Sequence, residues 1–310
     1  MMENILGIGY VIIGFILLVA GADAFVDNAS GVAKKMKISP LVIGLTVVAF
    51  GTSLPELAVS VTAALDNANE IAVGNVVGSN IFNLLVVAGI SACMCPLVIN
   101  KTIMKRDWPI SGIIAVILAV FIFTDLKIAR WEAIVLLVLF VGNLIWQICT
   151  GKEEEVQEGE NNTMSTSKML GGLVLGITGI IIGADFAVEG ATTVAKALGA
   201  TETLIGLTVV AIGTSLPELV TSVVAARKGE NEIAMGNVIG SNIFNILCIL
   251  GVSAVLRPIT LDSAVIFDTI FLVVVTFLFW FICRKGNMTR KCGIVMACIY
   301  VAYTAYIIIR

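Results

Sequence analysis

Apolar runs long enough to cross a lipid bilayer fill almost the whole chain, and they constrain its fold more than any other feature. A membrane-spanning helix needs about 20 mainly apolar residues. In hydrocarbon the backbone must satisfy its own hydrogen bonds, so runs of this length form helices. Charged residues separate ten predicted spans, near 4–26, 39–65, 70–99, 108–125, 131–150, 169–189, 202–226, 232–256, 263–283 and 292–309.

The composition supports the same class of protein. Hydrophobic residues make up 58% of the chain and charged residues 13%, whereas soluble domains carry roughly 25% charged residues. His is absent, which excludes imidazole metal ligands and a Ser-His-Asp triad. The seven Cys lie in or beside apolar runs without CxxC spacing, as expected for small packing residues. The prediction is an all-α integral membrane protein with ten transmembrane helices.

An internal repeat without gaps sets the arrangement of these spans. Residues 21–85 align with residues 183–247 at an offset of 162, and 40 of the 65 positions are identical. GTSLPEL at 51–57 recurs at 213–219, and GNVVGSNIFN at 74–83 recurs as GNVIGSNIFN at 236–245. Equivalent spans are five apart, an odd number, so the two copies cross the membrane in opposite senses. The sequence therefore predicts two inverted five-helix repeats, a plan whose binding sites lie near the bilayer midplane.

The polar stretch 151–168, which carries five Glu, is the expected linker between the repeats at 1–150 and 169–310. Fourteen of the 19 Lys and Arg residues fall in loops on the linker's side of the membrane. Basic loops mark the cytoplasmic side, so we expect a cytoplasmic linker, extracellular termini and a plasma-membrane location. The first run lacks a basic leader and a small-residue cleavage site, so we expect it to be a retained helix.

Two carboxylates, Glu56 and Glu218, occupy equivalent positions near the middle of their spans. An ionisable side chain at that depth costs at least about 2.5 kcal/mol. The alternative interpretation is a protonated or paired Glu that joins helices, but no Lys or Arg occurs in the same apolar cores. Asp23 and Asp185, in a repeated Gly-Ala-Asp, are interpreted as residues at a helix end or gate.

The residues around each Glu supply only oxygen ligands. Pro55 and Pro217 remove a backbone donor, which predicts a kink and freed carbonyl groups near 49–52 and 211–214. Hydroxyl groups come from Thr52, Ser53, Thr214 and Ser215. The second motif adds Ser79 and Asn83, four residues apart on one helix face, and equally Ser241 and Asn245.

Small residues in the GxxxG patterns at 74–78 and 236–240 predict close helix approach, and the neighbouring Asn75, Asn80, Asn237 and Asn242 are interpreted as interhelical hydrogen bonders. An all-oxygen set selects hard cations such as Ca²⁺ and Na⁺. Two carboxylates neutralise one Ca²⁺ or two Na⁺, and this mutually exclusive loading is typical of an exchanger.

The paired GTSLPE and GNxxGSNIFN segments resemble the repeats of the cation/calcium exchanger superfamily, most of all the prokaryotic sodium/calcium exchangers. The resemblance covers most of both halves. It implies alternating access through sliding of the first and sixth predicted helices, 4–26 and 169–189. It also implies electrogenic exchange of three Na⁺ for one Ca²⁺. The implied ion ligands are the carbonyl groups of Ala49 and Ala211 with the side chains of Thr52, Ser53, Glu56, Ser79, Asn83, Thr214, Ser215, Glu218, Ser241 and Asn245.

Other functions are weighed against this one. Some relatives, including potassium-dependent exchangers, carry Asp where this chain has Asn245, so the site here is less acidic. H⁺/Ca²⁺ exchange and K⁺-dependent Na⁺/Ca²⁺ exchange remain alternatives with the same residues. An enzyme is disfavoured because two symmetric acids without His or a metal motif do not divide into acid and base. An open channel is disfavoured by the inverted repeat. The expected partners are Ca²⁺, Na⁺ and the bilayer, with no cofactor and no nucleic acid.

Overall fold

The computed structural model describes residues 2–150, 165–199, 209 and 211–309, and this part of the chain is helical apart from four two-residue strands. The helices are α1 (Met2–Met36), α2 (Pro40–Thr52), α3 (Leu54–Leu65), α4 (Asn69–Met94), α5 (Ile103–Asp125), α6 (Arg130–Thr150), α7 (Thr166–Ala197), α8 (Ala211–Thr214), α9 (Leu216–Arg227), α10 (Asn231–Leu256), α11 (Ala264–Ile282) and α12 (Arg290–Ile309). The strands are β1 (Leu97–Val98), β2 (Lys127–Ile128), β3 (Ile259–Thr260) and β4 (Asn287–Met288).

Eight of the described helices are long and apolar enough to cross a membrane, and the bent pair α2–α3 makes a ninth candidate. The predicted all-α membrane class is therefore confirmed. The predicted run 202–226 begins outside the described residues, and its second part contains α8 and α9. Most of the expected linker, at 151–164, also lies outside them. Ser165 caps α7, so residues 166–168 of that linker are helical.

Helices α1 and α7 extend well beyond their predicted apolar runs. The run at 4–26 becomes a helix that ends at Met36, and the run at 169–189 becomes one that ends at Ala197. Polar side chains such as Asp27 and Lys34 end a hydropathy window, but they do not end a helix. Asp23 and Asp185 consequently lie inside α1 and α7, and their predicted places near the ends of those helices are wrong.

Helices α1 and α7 cross with almost no side chains between their backbones. A Cβ atom built on Gly14 would lie 2.5 Å from Ala187 N, and one on Gly21 would lie 2.7 Å from Ile180 N. On the facing helix, a Cβ on Gly190 would lie 2.5 Å from Gly7 O. The glycines recur every seven residues on both helices, at 7, 14 and 21 and at 176, 183 and 190. This spacing keeps them on one helix face, and it joins the first long helix of each half into one antiparallel pair.

Helices α4 and α10 form the centre of the bundle. In each, 83% of the most apolar stretch is buried, against 50% in α5 and 17% in α6 and α12. Helix α10 also packs closely on α2, because a Cβ on Gly240 would lie 2.6 Å from Leu45 O. The predicted close approach at the second GxxxG pattern is therefore confirmed. The equivalents of Gly44 and Leu45 in the other repeat lie outside the described residues.

Two short antiparallel ladders connect loops from opposite halves of the chain. Strand β1 pairs with β4, with Leu97 opposite Met288, and β2 pairs with β3, with Ile128 opposite Ile259. β1 lies between α4 and α5, whereas β4 lies between α11 and α12. The two halves are thereby joined at loops as well as at the central helices.

Lys228, which follows α9, holds the middle of α1. Its Nζ lies 2.7 Å from Asp23 Oδ1 and 2.6 Å from Asp27 Oδ1, and it donates to Asp23 O at 3.1 Å. Helix α1 also packs along α9, whereas within the described residues α7 makes no comparable contact with α3. The contacts of α1 and α7 with the rest of the bundle are therefore unequal.

Candidate cation site

Each GTSLPE segment interrupts its helix at the serine, two residues before the proline. Ser53 has φ −88° and ψ 11° between α2 and α3, whose axes differ by 51°. Ser215 has φ −95° and ψ 6° between α8 and α9. Pro55 is near the start of α3, where a missing N–H leaves no hydrogen bond unmade. The kink predicted for the first copy is confirmed, and it places Glu56 in the first turn of a new helix, where the dipole favours a negative charge.

Each glutamate receives a hydrogen bond from the serine of the other half. Ser53 Oγ donates to Glu218 Oε1 at 2.7 Å, and Ser215 Oγ donates to Glu56 Oε1 at 3.0 Å. Both glutamates have no exposed surface. Because a serine hydroxyl carries one proton, the one hydrogen bond that each serine can donate goes to the glutamate of the other half. The two carboxylates are therefore bound into one crossed arrangement.

The two central helices add hydroxyl groups behind those serines. Ser241 Oγ lies 3.1 Å from Ser53 Oγ, and Ser79 Oγ lies 3.2 Å from Ser215 Oγ. The structure thus brings four predicted serines and both glutamates into one buried cluster, which combines residues from α4, α10 and the two helix breaks.

Asparagine side chains join α4 to α10 beside this cluster. Asn80 Nδ2 donates to Asn242 O at 3.1 Å, and Asn242 Nδ2 donates to Asn80 O at 3.2 Å. Asn245 Nδ2 donates to Asn80 Oδ1 at 3.0 Å. The prediction that Asn80 and Asn242 are interhelical hydrogen bonders is confirmed.

Several buried polar atoms in the cluster have no hydrogen-bond partner in the part of the chain that the structure describes. An unsatisfied buried polar atom costs roughly 1–3 kcal/mol, so such atoms favour a site that a ligand completes. Oxygen atoms dominate the set, and each copy contributes the second oxygen of its glutamate. These atoms are Glu56 Oε2, Glu218 Oε2, Asn83 Oδ1, Asn83 Nδ2, Asn242 Oδ1 and Asn245 Oδ1.

The remaining predicted ligands lie in the last turn of α2 and in α8. Ala49 O accepts from Ser53 N at 3.1 Å and lies 3.4 Å from Thr52 Oγ1, so it is not free of hydrogen bonds. Thr52 is fully buried and its Oγ1 lies 3.0 Å from Asn237 Oδ1. Thr214 is half-buried at the end of α8. Ala211 begins α8, and its side chain lies outside the described part of the chain.

Two features of the site were not predicted. Ser60 and Ser222 accept hydrogen bonds from Asn75 and Asn237, and their identity at the repeat offset was the available signal. The backbone also widens into a π-helix at Asn83–Val87 and Asn245–Leu250, immediately after each GSNIF segment. Such widened turns are frequent at functional sites, but no residue type in the sequence marks them.

The electrostatics of the cluster favour a small hard cation. No Lys or Arg occurs in α2, α3, α4 or α10, and Arg227 lies at the far end of α9 from Glu218, so the apolar parts of these helices provide no positive partner for either carboxylate. Uncompensated buried carboxylates are expensive. Within the described residues no three His, Cys, Asp or Glu side chains form a group of metal ligands. The cluster combines two carboxylates with hydroxyl and amide oxygens, which are ligands of Ca²⁺ and Na⁺.

The family model described as "Sodium/calcium exchanger protein" matches residues 6–149 and 168–309. The chain belongs to the sodium/calcium exchanger family. The resemblance predicted from the two motifs is thereby confirmed.

Relatives of this exchanger match it over almost its whole length. Sodium/calcium exchanger MaX1 of Methanosarcina acetivorans is 36% identical over 338 residues, which cover 94% of this chain and 95% of the relative. Inner membrane protein YrbG of Escherichia coli is 35% identical over 314 residues and 97% of this chain. A solved structure of the sodium-calcium exchanger NCX_Mj, soaked without Na⁺ and Ca²⁺, matches with a TM-score of 0.87 and 34% identity, covering 98% of this chain and 99% of that chain.

Proposed function

We propose that this chain is a secondary antiporter that exchanges Na⁺ for Ca²⁺ across a membrane, with Glu56 and Glu218 shared by the competing ions. The observation that carries this function is the enclosed carboxylate pair, in which each Oε1 accepts from the serine of the other half and each Oε2 has no partner among the described residues. Ca²⁺ or two Na⁺ neutralise this charge, so loading with one ion excludes the other. A transporter of this kind is not an enzyme and needs no cofactor.

The proposed ligand set is the one predicted from the sequence. The oxygen atoms without a hydrogen-bond partner among the described residues are the strongest candidates for ion ligands, and the hydroxyl groups complete the coordination shell. The set comprises Glu56, Glu218, Ser53, Ser215, Ser79, Ser241, Asn83, Asn245, Thr52, Thr214 and the carbonyl groups of Ala49 and Ala211. Because Asn245 is neutral, the proposed site contains two carboxylates and not a third, which favours Na⁺/Ca²⁺ exchange without K⁺.

The proposal includes ten transmembrane helices in two inverted repeats, with residues 151–168 as a cytoplasmic linker and both termini outside the plasma membrane. The crossed Ser–Glu bonds and the reciprocal Asn80–Asn242 bonds support the repeat, because each contact has its equivalent at an offset of 162. The two ladders support it too, because β1 and β2 correspond to β3 and β4 in the repeat, so that the β1–β4 ladder has its equivalent in the β2–β3 ladder. Exchange of three Na⁺ for one Ca²⁺ would carry net charge and be electrogenic.

Reconstituted vesicles test this function. Vesicles loaded with Na⁺ should take up ⁴⁵Ca²⁺ when diluted into Na⁺-free buffer, and Glu56→Gln or Glu218→Gln should abolish that uptake because each removes one of the two charges. Glu154→Gln, in the predicted linker, is the matched control and should keep normal uptake. Normal uptake by either central variant would contradict the site.

The same vesicles separate the alternatives. Uptake driven by a pH gradient without Na⁺ would support H⁺/Ca²⁺ exchange, and an absolute requirement for K⁺ would support a K⁺-dependent exchanger. Failure of a Na⁺ gradient to drive any uptake by the wild-type protein would overturn Na⁺/Ca²⁺ antiport.

A further inference from the structure

Asn75 and Asn237 make the same pair of hydrogen bonds in the two halves of the molecule. Asn75 Nδ2 donates to Glu56 O at 3.2 Å and to Ser60 Oγ at 2.9 Å. Asn237 Nδ2 donates to Glu218 O at 3.4 Å and to Ser222 Oγ at 3.0 Å. We call this contact the amide bracket. Each bracket uses both protons of one amide group and reaches the peptide oxygen of the glutamate itself.

The bracket residues share a helix face with the proposed ion ligands. Asn75, Ser79 and Asn83 follow one another at intervals of four along α4, as Asn237, Ser241 and Asn245 do along α10. Residues four apart lie on the same face of a helix. Each bracket therefore joins the helix that bears Glu56 or Glu218 to the helix that bears the hydroxyl and amide ligands of the same half.

This connection determines the axial position of one ligand set relative to the other. A slip of one residue displaces a helix by about 1.5 Å and rotates it by about 100°, which would move Ser79 and Asn83 away from Glu56. Asn237 is further constrained because its Oδ1 lies 3.0 Å from Thr52 Oγ1 of the other half. With both protons bound and Oδ1 in that contact, the Asn237 side chain is occupied in holding neighbours.

We propose that Asn75 and Asn237 are positioning residues that set the register of the two halves of the cation site through Glu56 and Glu218. This role rests on the proposed Na⁺/Ca²⁺ exchange. It predicts that loss of a bracket weakens Ca²⁺ binding more than it lowers the maximal rate, because the carboxylates remain present but are no longer held opposite the other ligands.

The test uses Asn75→Leu and Asn237→Leu, which keep the side-chain volume and remove the donors. In Na⁺-loaded vesicles each should raise the Ca²⁺ concentration for half-maximal uptake by about tenfold, as expected for two lost hydrogen bonds, with a smaller change in maximal rate. Asn69→Leu is the matched control, since Asn69 also lies on α4 but donates to Thr260 at an exposed position. Its half-maximal concentration should remain at the wild-type value.

A double mutant separates positioning from general loosening of the fold. Ser222→Ala should weaken Ca²⁺ uptake alone but add little to Asn237→Leu, because Ser222 accepts from the Asn237 amide at 3.0 Å and its own donation, to Ala234 O, is long at 3.4 Å. Wild-type half-maximal concentrations in both leucine variants, or a fall in thermal stability without a change in Ca²⁺ dependence, would overturn the role. Wild-type protein and Glu56→Gln are measured in parallel, so failure of the exchange function itself appears as absent wild-type uptake.

Discussion

Four serines around the two carboxylates show how much of this site depends on single hydroxyl groups. Ser53 and Ser215 each occupy the non-helical position between two described helices and reach across to the glutamate of the other half. A hydrogen bond to a charged group contributes about 1.5–3 kcal/mol. The crossed bonds therefore make each glutamate dependent on the repeat to which it does not belong.

Replacement of Ser53 or Ser215 by Ala should raise the Ca²⁺ concentration for half-maximal uptake at least about tenfold, because one carboxylate oxygen loses its donor. Uptake of ⁴⁵Ca²⁺ into Na⁺-loaded vesicles measures this effect. Ser91→Ala and Ser253→Ala are matched controls, since both hydroxyl groups are buried and neither has a hydrogen-bond partner within the described ranges. Equal behaviour of the two pairs would contradict the crossed arrangement.

Sequence predicted the identity of the site residues better than their connections. Glu56 and Glu218 are conspicuous because a carboxylate in an apolar run is expensive and because both recur at one offset. The direction of the Ser53 hydroxyl, by contrast, depends on which helix faces the break, and that follows from packing across the two halves. The two unpredicted partner serines, Ser60 and Ser222, lie among many small residues in apolar helices, and the signal they carry is that both recur at the repeat offset.

At the scale of elements, proline chemistry made the helix breaks predictable. Pro55 fixes the break because it supplies no backbone donor, and the observed bend of 51° follows from it. The π-helical turns at Asn83–Val87 and Asn245–Leu250 were not predictable, since Asn and Leu are compatible with ordinary α-helix. The true length of α1 was also missed, because hydropathy reports where lipid ends and not where backbone hydrogen bonding ends.

The close pair α1–α7 gives a prediction about packing. Gly14→Ala would place a methyl group 2.5 Å from Ala187 N, and such overpacking costs about 1–3 kcal/mol. The thermal midpoint of the detergent-solubilised protein should fall by several degrees. Gly171→Ala, on α7 itself, is the matched control, because a Cβ there meets no described atom within 4 Å. It should leave the midpoint unchanged or raise it slightly, since Ala favours helix. A common response of both variants would contradict the contact.

At the scale of the whole molecule, the repeat is close to symmetric at the site but not at its ends. Asp23 and Asp27 on α1 correspond to Asp185 and Glu189 on α7, so both long helices carry a pair of acids. Lys228, however, corresponds to Asp66. The pair Asp23 and Asp27 therefore has Lys228 as its cation, whereas the corresponding residue for Asp185 and Glu189 is a third acid, Asp66. These three acids repel one another if they approach.

The ion pairs of Lys228 persist at neutral pH. Partial burial lowers the pKa of Lys228, but the hydrogen bonds and charges of Asp23 and Asp27 outweigh it and raise the pKa above its ordinary value of 10.5. A raised pKa means that the stabilisation is complete below the unfolded value and is lost as pH rises through the folded one. Salt is the stronger influence at pH 7, because the acids are exposed.

Lys228→Ala should therefore shift the equilibrium between the two states of the carrier, in which the cation site is open to one side of the membrane or to the other. Exposed ion pairs contribute about 0.2–1 kcal/mol each, so the change in population should be a few-fold. The apparent affinity for Ca²⁺ measured separately at each face, in vesicles of opposite orientation, reports it. Asp66→Lys, which creates the missing cation at the equivalent position, should shift the ratio of the two affinities in the same direction, because it strengthens the opposite end. Unchanged ratios in both variants would contradict the role of these charges.

Lys228 has no equivalent cation in the other repeat, and this difference has a consequence for the direction of transport. A perfectly symmetric carrier would rest equally often with its site open to either compartment, and only the ion gradients would give it a sense. Lys228 favours the arrangement in which α1 is held against α9. Without bound ions, the carrier should accordingly have its site open to one side more often than to the other. A difference of one charged residue between the two repeats thus gives the antiporter a preferred resting face.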